Sequence, residues 1–349
     1  MWSNYSRFET IRKVWMTIGV IQLLWFALYI FRWPVWREHH PSYLLLTHAV
    51  LISLLVPKLW LGGTEILEML RQGIQWLLTR SEQRASIPRR TFITRSGQAM
   101  AGVLLGAFAY GMTRGRYGYH VRRHDVPIPG LPEGLEGLRI VQISDAHLGS
   151  FLEDFEPVER GLKLIQSLEP DILCFTGDLV NDHSDEAEPW ISRFKGLTAR
   201  YGKFSILGNH DYADYARRTD EERDNVRRRI REIHGEMGFD LLLDEHRYIE
   251  RGGDKVLIAG VQNWGKGFRQ SGDLDAALKG AQVDLPTVLL SHDPTHWEER
   301  VMGEKAPVEL TLSGHTHGMQ MGLEIPALGI KISPSKLRYK RWGGLETEG

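Results

Sequence analysis

From residue 127 onward the sequence predicts an α/β domain with layered sheets. Three observations predict it. Short apolar runs alternate with helical patterns along the chain. Five of those runs end within a residue or two of Asp, Asn or His, several beside glycine. The Pro- and Gly-rich stretch Pro127 to Gly137 separates this part from a far more apolar leader.

The 349 residues suffice for one large domain plus an appendage, or for two domains. A formal net charge of -1 gives no overall bias toward nucleic acid. The single cysteine, Cys174, excludes an internal disulfide and a cysteine-built zinc site. Within its apolar run it reads as a small core residue.

The leader comes first. Val14 to Phe31 runs for about 18 residues without charge, close to the length that spans a bilayer. Arg7, Arg12 and Lys13 precede it, and Trp33 and Trp36 follow as interfacial aromatics would. Tyr43 to Leu61 is a second apolar run, broken only by Pro57 and Lys58. The two either span a membrane or pair as buried core helices, and their length and lack of charge favour spanning. In 64–79, Ile66, Leu67, Leu70, Ile74, Leu77 and Leu78 recur at helical spacing. That helix lies flat on the membrane or packs on the others. Arg80, Arg84, Arg89, Arg90 and Arg95 form a basic segment, and Gly97 to Met112 is a weaker third span. Pro88-Arg89-Arg90-Thr91-Phe92-Ile93 is either a displaced twin-arginine motif or a chance basic loop. Residues 1–126 are therefore expected to form a helical membrane region with spans near 14–31, 43–61 and 97–112. Positive charge on the inner side then puts the remainder outside the cytoplasm, with Arg114, Arg116, Arg122 and Arg123 opposing that orientation.

After the linker, strands are expected over Leu138 to Ile143, Ile172 to Phe175, Lys203 to Leu207, Leu241 to Leu243, Arg247 to Glu250, Val256 to Val261, Thr287 to Leu290 and Leu310 to Leu312. Helices are expected over Val158 to Leu168, Trp190 to Thr198, Asp220 to Met237 and Leu274 to Lys279. The arginines around Arg217 to Arg231 alternate with acids, which reads as a solvated helix rather than a phosphate track. No nucleic-acid partner is expected.

The chemistry gathers at strand ends. Thr176-Gly177-Asp178 closes an apolar run, and Gly177 lets the chain turn sharply there. Asp178 would then project from the carboxyl end of the sheet, where open α/β folds bind ligands. Its two oxygens can bridge two cations; the plainer alternative is a turn aspartate. Asp145-Ala146-His147 sets two ligand types at i and i+2, and His315-Thr316-His317 repeats that spacing between Gly314 and Gly318. Asn209, His210 and Asp211 follow a third run, and His292 follows a fourth. Imidazole, carboxylate and amide oxygen together suit Mn, Fe or Zn. Five such loops in one chain argue against histidines scattered over surface and core. No Ser-His-Asp arrangement competes.

The ordered motifs Asp145-Ala146-His147, Gly177-Asp178-Leu179-Val180-Asn181, Gly208-Asn209-His210-Asp211, His292 and Gly314-His315-Thr316-His317 resemble those of the calcineurin-like metallophosphoesterases. The resemblance covers roughly Leu138 to Gly318. It implies a four-layered α/β sandwich over 127–349, preceded by the α-helical transmembrane region, with two divalent metal ions (Mn, Fe or Zn). It implies that Asp145, His147, Asp178 and His317 hold the first metal, and Asp178, Asn209, His292 and His315 the second. His210 would serve the leaving group, with Asp211 orienting it. Asn181 and Asp182 would support the ligands rather than bind metal. The implied reaction is attack on phosphorus by a hydroxide shared between the metals. The implied partners are a lipid bilayer and a phosphoester substrate, lipid-linked diphosphates included. A general phosphodiesterase or phosphatase acting on soluble substrates, and a non-catalytic metal-binding scaffold, are the alternatives.

Three departures from the family pattern carry expectations. Met319 replaces a glycine that membrane-linked relatives often have. His296 and Trp297 stand near the site, and His296 either meets substrate or sits on a helix surface. After Gly318 the sequence reads as a polar tail, which suggests truncation and an open sheet edge.

Overall fold

The computed structural model describes residues 87–151, 155–282, 284–302, 306–317, 323–325 and 330–347, with scattered positions between 17 and 74. The chain forms two compact units, Met1–Tyr119 and His120–Gly349.

In the first unit, helix α1 covers Ile87–Thr113. No helix among the described residues is long and apolar enough to cross a membrane. The third expected span, 97–112, therefore falls inside a helix that does not meet that length and hydropathy by itself. Gln98 and four glycines between Gly97 and Gly111 dilute its hydropathy. The spans expected near 14–31 and 43–61, and the 64–79 helix, fall almost wholly outside the described residues.

The second unit is mixed α/β with two main sheets. Strands β1 (Ile140–Ile143), β2 (Ile172–Phe175), β3 (Gly202–Ser205) and β4 (Asp240–Leu241) pair in that order, all parallel. Helices α2 (Phe155–Ser167), α3 (Ile191–Lys195) and α4 (Asp220–Glu236) connect them. The second sheet runs β5 (Glu245–Arg251), β6 (Asp254–Gly260), β7 (Thr287–Leu290) and β8 (Leu310–Leu312). There β5 and β6 form an antiparallel pair, and β6, β7 and β8 run parallel. Between β6 and β7 lies the short helix α5 (Leu274–Ala277), and α6 (Pro294–His296) follows β7. A hairpin of β9 (Leu323–Ile325) and β10 (Ile330–Ile332) completes the described strands.

Strand alternation explains the core. In β2, Leu173 and Phe175 join a cluster with Val158, Leu162, Phe194, Ile230 and Ile233 of the helices. Its alternate residues Ile172 and Cys174 join Ile258, Val288 and Leu290 of the second sheet. With both faces covered, β2 is buried at every position, as a continuous apolar run on a parallel strand should be. Burial pushes the Cys174 thiol up to about 12, so it is inert packing. In β6 and β7, Ala259 and Leu289 point the other way, against Leu274, Ala277 and Val301.

Helix α4 begins at a capping box. Thr219 accepts from the Glu222 amide at 3.2 Å, and Glu222 accepts from the Thr219 amide at 2.8 Å. Its arginines pair with acids: Arg229 with Glu188 at 2.7 Å, and Arg227 with Asp214 at 2.8 Å.

Candidate metal centre

All five site loops follow parallel strands and leave the sheets at one end. Loop 144–147 follows β1, and loop 176–182 follows β2. Loop 208–211 lies after β3, loop 291–293 after β7, and loop 313–317 after β8. They lean on one another through the backbone. The amides of Asp145 and His147 donate to the carbonyls of Gly177 and Asp178 at 2.9 and 3.1 Å. The Gly314 amide donates to the His292 carbonyl at 2.9 Å.

The ligand-type residues hold unusual backbone. Among the described residues, eight non-glycine positions have left-handed φ, and Asp145, His147, Asp178, His315 and His317 are five of them. Each such position costs roughly 1–3 kcal/mol and persists only where its surroundings enforce it. Two glycines make the approach possible. Gly177 has φ +94, and a Cβ there would lie 2.7 Å from the Cα of Gly208 and 2.9 Å from Nδ1 of His292. Gly208 sits against Asp178 and His292 in the same way.

Two clusters result, and they share Asp178. Ligand atoms of Asp145, His147, Asp178 and His317 lie within 4.8 Å of one another, as do those of Asp178, His292 and His315. Asn209 completes the second: its Oδ1 is 3.2 Å from Nε2 of His292. All seven residues expected to bind metal are thus together. Asp178 and His292 form the floor at 1% and 0% side-chain exposure, and His317 is at the open side at 33%.

The hydrogen bonds fix which atoms face the cluster. Nδ1 of His292 is 2.7 Å from the Thr176 carbonyl, so it must donate. Its Nε2 then faces Oδ2 of Asp178 at 3.2 Å. The Asn209 amide donates to the Tyr215 hydroxyl at 2.6 Å, which leaves its oxygen aimed inward. Nε2 of His315 meets the Tyr339 hydroxyl at 2.7 Å and Oδ2 of Asp293 at 3.3 Å, so Nδ1 is the nitrogen left for a cation.

The donor set fits divalent cations. Oδ2 of Asp178 is buried and makes no hydrogen bond. Nε2 of His147 lies 3.2 Å from Nε2 of His317. Only a shared proton or a cation makes such a contact favourable. Burial holds the pKa of His147 and of His315 down at about 4, which keeps both neutral as ligation requires. For His292, burial works downward, but the Asp178 charge outweighs it and pushes the pKa up to about 10. Asp178 shows the reverse balance: burial raises its pKa, while His292, His210 and His147 together hold it below the usual carboxylate range. The buried Oδ2 of Asp178 calls for positive charge beside it.

Among the remaining residues, the roles expected for Asp211 and His296 require correction. His210 stands beside the first cluster, its ring 4.8 Å from His147 and stacked 4.4 Å from Tyr215. Its Nδ1 is 2.5 Å from the Asn181 carbonyl, so that carbonyl orients it rather than Asp211. The oxygens of Asp211 instead accept from the amides of Asp178, Leu179 and Gly208 at 2.9 Å, and of Val180 at 3.3 Å. It braces the turn that presents Asp178. Asp182 accepts from Tyr215, Ala216 and Arg218, and so fixes the loop that carries Tyr215. His296 neither meets a substrate position nor lies on a surface. It is fully buried, with Nδ1 3.0 Å from the Ser291 hydroxyl.

The tail also differs from expectation. Residues 335–342 pack on the His315 loop, with Tyr339 and Trp342 buried at 9% and 6% exposure. Sequence reasoning missed Tyr215 and Tyr339, because each is a lone aromatic in a polar, non-periodic stretch. Replacing Tyr339 by Phe should weaken divalent-metal affinity about tenfold, the usual scale for a residue that orients a ligand. Titration against a metal-indicator dye measures it, and unchanged affinity would show that Tyr339 does not orient His315.

Comparison with known proteins agrees with this geometry. Residues 138–319 match the family described as Calcineurin-like phosphoesterase. Residues 2–116 match the description "Probable Calcineurin-like phosphoesterase, transmembrane domain". The chain belongs to the calcineurin-like phosphoesterases. Among curated relatives, the "Transmembrane protein with metallophosphoesterase domain" of Danio rerio is 29% identical, covering 56% of this chain and 44% of its own length. The "Uncharacterized metallophosphoesterase YkuE" of Bacillus subtilis is 29% identical over 75% of this chain and 85% of its own. The "UDP-2,3-diacylglucosamine pyrophosphatase LpxG" of Chlamydia muridarum is 30% identical over 60% of this chain and 73% of its own. The chain thus spans less than half the length of the Danio rerio relative it matches.

Proposed function

We propose that this chain is a dinuclear-metal phosphoester hydrolase acting on lipid-linked phosphodiesters or diphosphates at a membrane. One observation carries the reading: two clusters of ligand atoms meet at a single buried carboxylate, Asp178. Asp145, His147, Asp178 and His317 would hold one ion, and Asp178, Asn209, His292 and His315 the other. Two divalent ions there would lower the pKa of the attacking water toward neutrality and draw charge from the phosphoryl oxygens. The chain's own residues do the rest. His210 has Nδ1 tied to a carbonyl. As an imidazolium, with a proton on each nitrogen, it would protonate a departing oxygen from Nε2 or offset its charge. Asp211 holds the turn that presents Asp178 to both clusters.

The four-layered sandwich, two sheets flanked by helices, belongs to the same proposal. So does a multi-pass leader with the domain outside the cytoplasm, which a reporter fused after Tyr119 tests by its location. The substrate class is supported by the relative called a UDP-2,3-diacylglucosamine pyrophosphatase and by the match of 2–116 to a transmembrane domain.

The test uses full-length protein in detergent, stripped with a chelator and resupplied with Mn. Phosphomonoesters, diesters and diphosphates are offered, both in mixed micelles and in solution. Activity should vanish on chelation, return with Mn, and favour micellar lipid diphosphates. A preference for soluble nucleotides would support the general phosphodiesterase instead. Bound metal with no turnover across the panel would support a non-catalytic scaffold.

A further inference from the structure

The family match ends at residue 319, yet the chain returns to the metal cluster further on. The Ser335 hydroxyl donates to the Thr316 carbonyl at 3.0 Å, and the Thr316 hydroxyl donates to the Trp342 carbonyl at 2.8 Å. With the Tyr339 contact to His315, these bonds fix the segment against the loop bearing two ligands. Between Ser333 and Trp342 that segment carries Lys336, Arg338, Lys340 and Arg341, and no acid.

Arg341 is committed elsewhere. It pairs with Glu298 at 2.6 Å and lies over the Trp297 ring at 4.6 Å. Arg338 is different: it is exposed, and among the described residues its contacts are aromatic faces and a carbonyl rather than a carboxylate. Its guanidinium carbon is 4.9 Å from the Phe268 ring centre and 5.6 Å from that of Tyr339. Both rings touch His315, with centroids 4.6 and 5.4 Å from it. Nη2 reaches the Lys266 carbonyl at 3.4 Å.

We propose that Arg338 is an anion-binding arm of this site. It would take the second phosphoryl group of a diphosphate substrate while the first sits at the metal cluster. The inference rests on the phosphoester reading above. A guanidinium presents a rigid fork that matches two phosphoryl oxygens. Stacking on Phe268 and Tyr339 holds that fork in place without neutralising it. Exposure leaves its outer edge open to a ligand, and Lys336 and Lys340, also exposed, add positive potential along the same segment. A substrate with one phosphoryl group would be held by the cluster alone.

The test compares Arg338→Ala and Arg338→Lys with the parent full-length protein in detergent, loaded with Mn. The probes are bis(4-nitrophenyl) phosphate, with one phosphoryl group, and UDP-N-acetylglucosamine, with two. Arg338→Ala should raise KM for the diphosphate about tenfold while kcat/KM for the single-phosphoryl probe stays within about twofold. Arg338→Lys should fall between, because an ammonium keeps the charge and loses the fork. Metal content should be unchanged in both. Equal losses on the two probes, or no loss on either, would overturn the proposal. So would a loss seen only when anionic vesicles are added, which would assign Arg338 to lipid headgroups. If the parent cleaves the single-phosphoryl probe but not the diphosphate, the arm has no such ligand. If it cleaves neither, the phosphoester reading itself falls.

Discussion

Asp178→Asn should abolish metal-dependent hydrolysis of bis(4-nitrophenyl) phosphate, by at least about a thousandfold in kcat/KM. The substitution is nearly isosteric, so the fold is expected to survive. Oδ1 of Asp178 accepts the His210 amide at 2.9 Å, and an asparagine oxygen can do the same. What is lost is the charge at Oδ2, which lies 3.6 Å from Nε2 of His147 in one cluster and 3.2 Å from Nε2 of His292 in the other. His292, His147 and His315 would then face an amide NH2 instead of a carboxylate oxygen. His292→Ala should cost a similar factor by opening the second cluster alone. Steady-state rates with Mn, alongside metal content, measure both. Activity kept in both variants would remove these residues from the chemistry.

Gly208→Ala should be nearly as severe by a different route. Gly208 has φ -95, which alanine adopts freely, so backbone strain is not the cause. Space is. The added methyl would sit 2.7 Å from Cε1 of His292 and closer still to the Asp178 side chain. Both neighbours are buried and pinned, Asp178 by Asp211 and His292 by the Thr176 carbonyl. Overpacking of this kind costs about 1–3 kcal/mol and sometimes more. In a domain of this size that lowers Tm by roughly 2–12 °C. Metal binding should be lost before the fold, because the strain falls on the ligands. Calorimetry together with metal titration separates the two effects. A variant with full metal affinity would show that the two loops are not held as close as described.

Much of this was legible because the fold writes its site at strand ends. An apolar run that stops at Gly-Asp or Gly-Asn-His has no packing reason to stop there, and β2 and β3 both announce their loops this way. The i, i+2 pairs Asp145/His147 and His315/His317 were legible for the same reason. What the sequence did not show depends on contacts made only after folding. Tyr215 earns its place by meeting Asn209 and stacking on His210, both six or fewer residues away but around a turn no pattern marks. Tyr339 reaches His315 from a stretch with no periodicity. Asp211 was legible as a site residue, yet its bonds to the turn amides of 178–180 are invisible without coordinates. His296 misled because a histidine beside a ligand loop looks functional until burial is known. The leader presents the opposite difficulty, since the apolar runs 14–31 and 43–61 are plain in sequence but fall almost wholly outside the described residues.

The most direct measurement is anomalous diffraction from crystals of the Mn-loaded protein. The account predicts two peaks about 3.5–4 Å apart, one on each side of the Asp178 carboxylate. A catalytically active crystal form with a single peak, or with ions that do not touch Asp178, would contradict it.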